Sequence, residues 1–356
     1  MKHDRNTAPY RREVLPPPES LVTNGRFNLG TFNGPIANVN PLDARRPLGV
    51  PLPRALAGFR LKEWEALQLG NEQCFMLVVL YDLKLASLVQ FIYYDRREGN
   101  KHLYETIVPS WRVRVPSSLR DTVARYRSRR FSIEIHNDLA RGLVTVSVSA
   151  SSFKRLPDVR GRFESLHAIN IEPIVVCQPF AENRAMYSHK CLMPMRGALT
   201  LGGREIAFDP ASSFAILDDH KGFYPYALRY DWVTGAGFDS RKRLVGFNLT
   251  DNQVRDPERY NENCLWISGR MHPLPPIRIT RPDGDMGRWS VRDAFGMVDI
   301  GFTPVVDGVI DMNLGAVKID YHGPFGEYDG CIVDANGKKV SVETFFGMGE
   351  RKYLRA

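Results

Sequence analysis

The sequence lacks the signatures that identify many enzymes directly. No GxGxxG follows a strand and opens a helix, and no GxxxxGK[ST] occurs, so a nucleotide cofactor has no support and no cofactor is expected. HExxH and CxxC are both absent, which removes the common zinc frameworks. No GxSxG marks a serine nucleophile. The apolar runs, such as Cys74 to Tyr81, are too short to span a bilayer as a helix. Cysteines number five, at wide spacing and in odd count, which reads as buried reduced thiols and not as a disulfide framework. Residues 1–20 are polar, basic and proline-rich, without the apolar stretch of a secretion signal. The expectation is an N-terminal arm over 1–20 on a cytoplasmic protein.

A hydrophobic fraction of 43% and a charged fraction of 25% are those of a globular chain with a real core. A length of 356 residues favours two domains. The formal charge of +8 is partly local, with seven arginines between Arg112 and Arg130. Such a surface attracts an anionic ligand or a membrane face, or serves only as a solvated basic face. No aromatic-interleaved RNA motif, zinc finger or helix-turn-helix accompanies it, so no nucleic-acid partner is expected.

The dominant period is two. Phe131, Ile133 and Ile135 alternate with polar residues, as do Val144, Val146 and Val148. Phe75–Tyr81 and Leu85–Tyr94 are denser in apolar residues, as strands buried on both faces or lining an apolar interior are. Gly202-Gly203, Asn336-Gly337, Glu98-Gly99-Asn100 and the Asn137–Gly142 segment separate such runs as hairpin turns. The pattern predicts an antiparallel, mostly β protein of barrels or sandwiches with few short helices. Pro41–Leu56 holds four prolines and cannot form one regular element. One helix is expected near 119–126, where Ser118 and Asp121 fit a capping box. The domain boundary is placed so that residues 21–160 form a first β domain and 161–356 a second.

Candidate chemistry concentrates at Leu217-Asp218-Asp219-His220-Lys221-Gly222. Carboxylate, imidazole and amine at a strand end can transfer protons if that end faces a pocket. On a regular strand Asp218 and His220 share one face, Asp219 and Lys221 the other, so only one pair faces the interior. The alternative is a polar turn shaped by Asp219 and Gly222. Tyr224, Tyr230 and Trp232 follow as aromatic candidates for shaping a pocket, or as ordinary core. Asn248, Glu262, Asn263 and Trp266 form a second amide-rich group. Glu262 beside a tryptophan could act as an acid, while turn formation explains much of the amide content. Glu327 and Glu350 add carboxylates near the C-terminus. Asp218, Asp219, His220 and Glu262 are thus the catalytic candidates. Lys221, Tyr224, Tyr230, Trp232, Asn248, Asn263, Trp266 and Glu327 are the substrate-binding ones. His189 and Cys191 share a strand face that His220 could approach, a weak metal signal without a third fixed ligand.

The segments LDDHKGFYPYALRYDW, GFNLTDNQ, NENCLW and EYDGCIVDANG resemble number 2804 among the domains of unknown function, over most of the chain after the arm. That family is similar to proteins built of two lipocalin-like (calycin-like) β domains, among them carotenoid hydratases and tocopherol cyclase. The resemblance implies an apolar cavity in each half and acid-assisted chemistry on a hydrophobic small molecule. Fold alone does not carry function. The leading expectation is a cofactor-independent hydration, cyclisation, isomerisation or elimination. A non-catalytic carrier of a lipid-like ligand and a carbohydrate-active protein with paired carboxylates are the alternatives.

Overall fold

The computed structural model describes residues 10–167, 171–314 and 317–355, without the side chains of 312–314 and 317. Residues 1–9 of the expected arm lie outside them. The chain divides into two compact units. The first comprises Val14–Pro225 with Ser268–Arg270, and the second Met1–Glu13, Tyr226–Ile267 and Met271–Ala356. Each is a curled antiparallel sheet, and together they make a barrel and a half-barrel, as the two-residue period predicts.

In the first unit alternation decides what lies inside. Ile133, Ile135, Val144, Val146 and Val148 are buried together with Leu67, Val78, Phe91 and Leu217 in one core. The hairpins expected at Glu98–Asn100, Asn137–Gly142 and Gly202-Gly203 are present. The helix expected over 119–126 is instead the strand Arg120–Arg127. Ala124 and Tyr126 face the core while Arg125 and Arg127 face solvent, and pairing with Phe131–Asp138 outweighs the local capping signal. Arg127 and Glu134 form an ion pair on that solvent face. Among the described residues the one α-helix, Arg54–Arg60, starts after Pro53, inside a stretch otherwise broken by prolines.

The boundary expected at 160/161 falls within the strand Val159–Leu166. The reason is the 18-residue strand Arg184–Leu201. It pairs with Val159–Leu166, Ile174–Ala181, Arg204–Phe208 and Phe214–Gly222, and three of these pair in turn with Leu143–Ala150, Gly30–Phe32 and Lys62–Gly70, so the chain on both sides of residue 160 is stitched together. A second apolar cluster of this unit gathers Leu21, Phe27, Phe32, Ile36, Ala57 and Leu61 from its N-terminal segment against Val175, Tyr187 and Phe223.

The second unit has its own core, with Val233, Phe247, Leu265, Trp289, Phe302 and Tyr328 at its centre. The Asn336-Gly337 turn joins Phe325–Val333 to Lys339–Ser341. Tyr10 and Arg12, from the described part of the arm, are buried here. The Tyr10 hydroxyl donates to the Glu258 carbonyl at 2.5 Å, and Arg12 donates to the Asn263 carbonyl at 2.9 Å. No helix among the described residues is long and apolar enough to cross a membrane.

Candidate active site

Three neighbouring strands of the first unit carry the same pattern on their inward face. Along Lys62–Gly70 and the residue before it, Leu61 is apolar, Glu63 and Glu65 are charged, and Leu67 and Leu69 are apolar. Along Phe214–Gly222 and the residue after it, Phe223 is followed inward by Lys221 and Asp219, then by Leu217 and Ala215. Along Arg184–Leu201, Ala185 and Tyr187 precede His189, then Cys191 and Met193. The apolar residues on one side belong to the N-terminal cluster and those on the other to the barrel core. A transverse polar belt is therefore enclosed between two hydrophobic clusters.

Register fixes the belt. Asp219 pairs with Glu65 on one side and with His189 on the other. Lys221 pairs likewise with Glu63 and Tyr187. Directly paired residues project side by side, with β-carbons about 4.5–5.5 Å apart. Lys221 Nζ donates to Asp219 Oδ1 at 2.5 Å, and Asn137 Nδ2 donates to Glu65 Oε1 at 2.7 Å. Asn137 sits at a register shift in its strand, which aims it at a residue 72 positions away in sequence. The Tyr187 hydroxyl lies 3.3 Å from His189 Nδ1. Glu63 pairs with Lys84 at the partly exposed rim.

The belt is under-compensated. Glu65 Oε2, Asp219 Oδ2, Asn137 Oδ1 and His189 Nε2 are buried without a hydrogen-bond partner. Each such atom costs about 1–3 kcal/mol, so packing alone does not favour the arrangement. Burial, and then the neighbouring Asp219, push the Glu65 carboxyl up to about 8. Burial also raises Asp219, against the pull of Lys221. Two carboxylates side by side in a dry interior cannot both ionise cheaply, so the pair retains a proton well above the ordinary range. Burial, with His167 and Lys221 nearby, lowers His189 to about 3, which leaves it neutral.

The opposite face of Phe214–Gly222 is also buried, so both pairs named from the sequence are sealed from bulk water, and only Asp219 and Lys221 point into the barrel. Asp218 lies 2.9 Å from His220 Nε2 and 3.2 Å from Lys190 Nζ, and Trp64 Nε1 donates to it at 3.4 Å. Burial alone would raise the Asp218 carboxyl, but Lys190 and His220 outweigh it and hold it well below the usual range. His220 is stacked on Trp64 with ring centroids 4.3 Å apart, and its nitrogens face Ser188 Oγ at 3.0 Å and the Tyr224 hydroxyl at 3.3 Å. Gly222 continues the strand and forms no turn. A β-carbon there would stand 2.7 Å from Met186 Cβ, so the close approach requires glycine.

Tyr230, Trp232, Asn248, Glu262, Asn263, Trp266 and Glu327 belong to the second unit, so the structure does not gather them around Asp219 within one unit. Most are internally satisfied. The Tyr230 hydroxyl donates to the Glu262 carboxylate. Trp232 Nε1 donates to Asn248 Oδ1 at 2.6 Å, and Asn248 Nδ2 donates to the Glu262 carbonyl at 2.8 Å. Asn263 Oδ1 accepts from the Thr250 amide at 2.7 Å, and its Nδ2 donates to the Pro275 carbonyl at 2.8 Å. Trp266 is fully buried. Glu327 faces solvent because its neighbours Gly326 and Tyr328 take the inward positions.

Sequence reasoning missed Glu65, Asn137, Tyr187 and Lys190. One signal was available for Glu65: it shares the parity of Leu61, Leu67 and Leu69, so a carboxylate stands on the apolar side of an alternating strand. His189 and Cys191 do share a face, but His220 projects from the opposite one. Among the described residues no group of three or more His, Cys, Asp or Glu side chains is arranged to hold a metal ion.

The profile of a domain of unknown function, DUF2804, matches residues 11–355, and the chain belongs to that family. No curated protein matches the sequence. Among solved structures, kievitone hydratase from Nectria haematococca is similar at 12% identity and a TM-score of 0.47, over 83% of this chain and 89% of that one. A candidate ATTH from Nitrosomonas europaea is similar at 13% identity and a TM-score of 0.46, over 85% of this chain and 96% of that one.

Proposed function

We propose that the polar belt is the active site of an enzyme that moves protons on a small, largely apolar molecule, by hydration, cyclisation, isomerisation or elimination. The carrying observation is the direct pairing of Glu65 with Asp219 in a barrel interior that raises both carboxyls. A carboxyl still protonated near neutral pH is a general acid of matched strength. Glu65 gives its proton to a double bond or a leaving oxygen of the ligand. Asp219, oriented by Lys221, takes a proton from water or from carbon. Tyr187 and His189 offer polar contacts to an oxygen atom of the ligand, and the two apolar clusters enclose its hydrocarbon part. A carbohydrate-active protein with paired carboxylates needs an open polar cleft that admits a sugar and a water. These carboxylates are buried, and that reading has no support here.

Solvent exchange tests the proposal. Full-length protein and Glu65→Gln are purified gently, incubated in heavy water, and the small molecules they release are weighed by mass spectrometry. The expected outcome is a ligand that gains deuterium or the mass of water in the unaltered protein and not in the variant. A ligand that leaves both proteins unchanged identifies a carrier and overturns the assignment.

A further inference from the structure

The second unit carries a pocket of a different kind. Three strands, Ala227–Phe238, Phe345–Arg355 and Val317–His322, run side by side there. Register sets Lys318 against Arg355, Arg229 and Asp320 against Tyr353, and Asp231 against Arg351. With Arg281 and Lys352 these residues line a cavity of about 500 Å³. Six cationic side chains therefore face two carboxylates.

The cations differ in how they are held. Arg351 donates to both Asp320 oxygens, at 2.7 and 3.1 Å, and lies 2.8 Å from Asp285. Arg281 donates to Asp231 at 2.9 Å and stacks over Trp289 at 4.0 Å. These two guanidinium groups are fixed in advance. No carboxylate forms an ion pair with Arg229 or Lys318 among the described residues; Lys318 lies over the Tyr353 ring at 5.6 Å, and its charge helps to lower the Asp320 carboxyl. A concave wall with an excess of one sign focuses the field and raises the local concentration of a counter-ion. Guanidinium forks match tetrahedral oxyanions, and the volume is that of a small-molecule site.

We infer that this pocket binds a small phosphate-bearing anion, a phosphate monoester or a diphosphate. Arg229 and Lys318 supply the uncompensated charge, and Arg281 and Arg351 form the fixed floor. The site is independent of the proton-transfer belt.

Calorimetric titration of the full-length protein with inorganic pyrophosphate tests this, with phosphatidylserine vesicles as a second probe. The expected result is saturable binding of one pyrophosphate per chain. The double variant Arg229→Gln, Lys318→Gln weakens it roughly tenfold or more, as loss of charge-assisted contacts does. Its melting midpoint stays unchanged, because neither side chain is tied into an ion pair. A control pair on the first unit's solvent face, Arg125→Gln with Arg127→Gln, changes binding by less than about twofold. Absence of saturable binding overturns the inference. So does equal weakening by the control pair, which would mean diffuse charge, and so does vesicle binding that pyrophosphate fails to displace, which would mean a lipid surface. If the double variant does not fold, Arg229→Gln alone decides by the same criteria.

Discussion

Asp218 and Asp219 are chain neighbours, both buried, and differ in the face of the strand from which they project. Asp218 meets a lysine, a histidine and an indole N–H, and Lys190 and His220 favour its charged form. Asp219 meets one lysine and a second carboxyl, with an oxygen of each acid left unbonded. The same residue type thus becomes a structural anion on one side and part of a proton-holding pair on the other. Neighbouring charge and not burial makes the difference, since burial is common to both.

The largest effect should come from the inner face. Glu65→Gln keeps the shape and can keep the Asn137 bond, so turnover of an identified substrate should fall by about 10²–10⁴ while the denaturation midpoint holds or rises. Equal turnover in the variant would erase the functional side of the comparison. The outer face should show the reverse. Asp218→Asn removes the carboxylate that Lys190, His220 and Trp64 surround in a buried site and should cost about 3–5 kcal/mol in urea denaturation. A loss below about 1 kcal/mol would mean that the ion cluster is not structural.

Acidity should separate the faces next. Glu65 titrates higher folded than unfolded, so the native state holds the extra proton between about 4.5 and 8. The stability this proton confers is present at low pH and is lost as pH rises toward 8, with a slope approaching about 1.4 kcal/mol per pH unit. Comparing wild type with Glu65→Gln across that window isolates it, and the variant should lack the slope. Asp218 behaves oppositely: its depressed carboxyl contributes stability above the unfolded value of 3.8 that is lost as pH falls below it. The smallest change belongs to Glu327→Gln, which should stay within about 0.5 kcal/mol in thermal melts because the side chain faces solvent.

Much of the fold was legible because period two is a local property. Phe131–Ile135 and Val144–Val148 announced their inward faces, and glycine-bearing turns announced four hairpins. The parity of Asp218 with His220 and of Asp219 with Lys221 was legible for the same reason, and both pairs form. What makes Asp219 distinctive was not legible. Its partner Glu65 lies on a strand joined to it only by long-range pairing, and no local pattern specifies which strands become neighbours. The division near residue 160 failed on the same ground, since Val159–Leu166, Ile174–Ala181 and Phe214–Gly222 pair with Leu143–Ala150, Gly30–Phe32 and Lys62–Gly70 from the other side of it. The amide-rich group at 248–263 looked like ligand-binding chemistry because composition does not reveal which amides are consumed by backbone partners.

The alignment of Glu65, Asp219 and His189 across three strands has a consequence for how such a protein can change over generations. Point substitutions can retune the acid, the base or the greasy walls one at a time. A single-residue insertion within any of the three strands would turn part of the trio outward and abolish the constellation in one step. Descendants of this chain should therefore diversify by exchange of side chains at fixed positions, and gain or lose length only in the connecting loops.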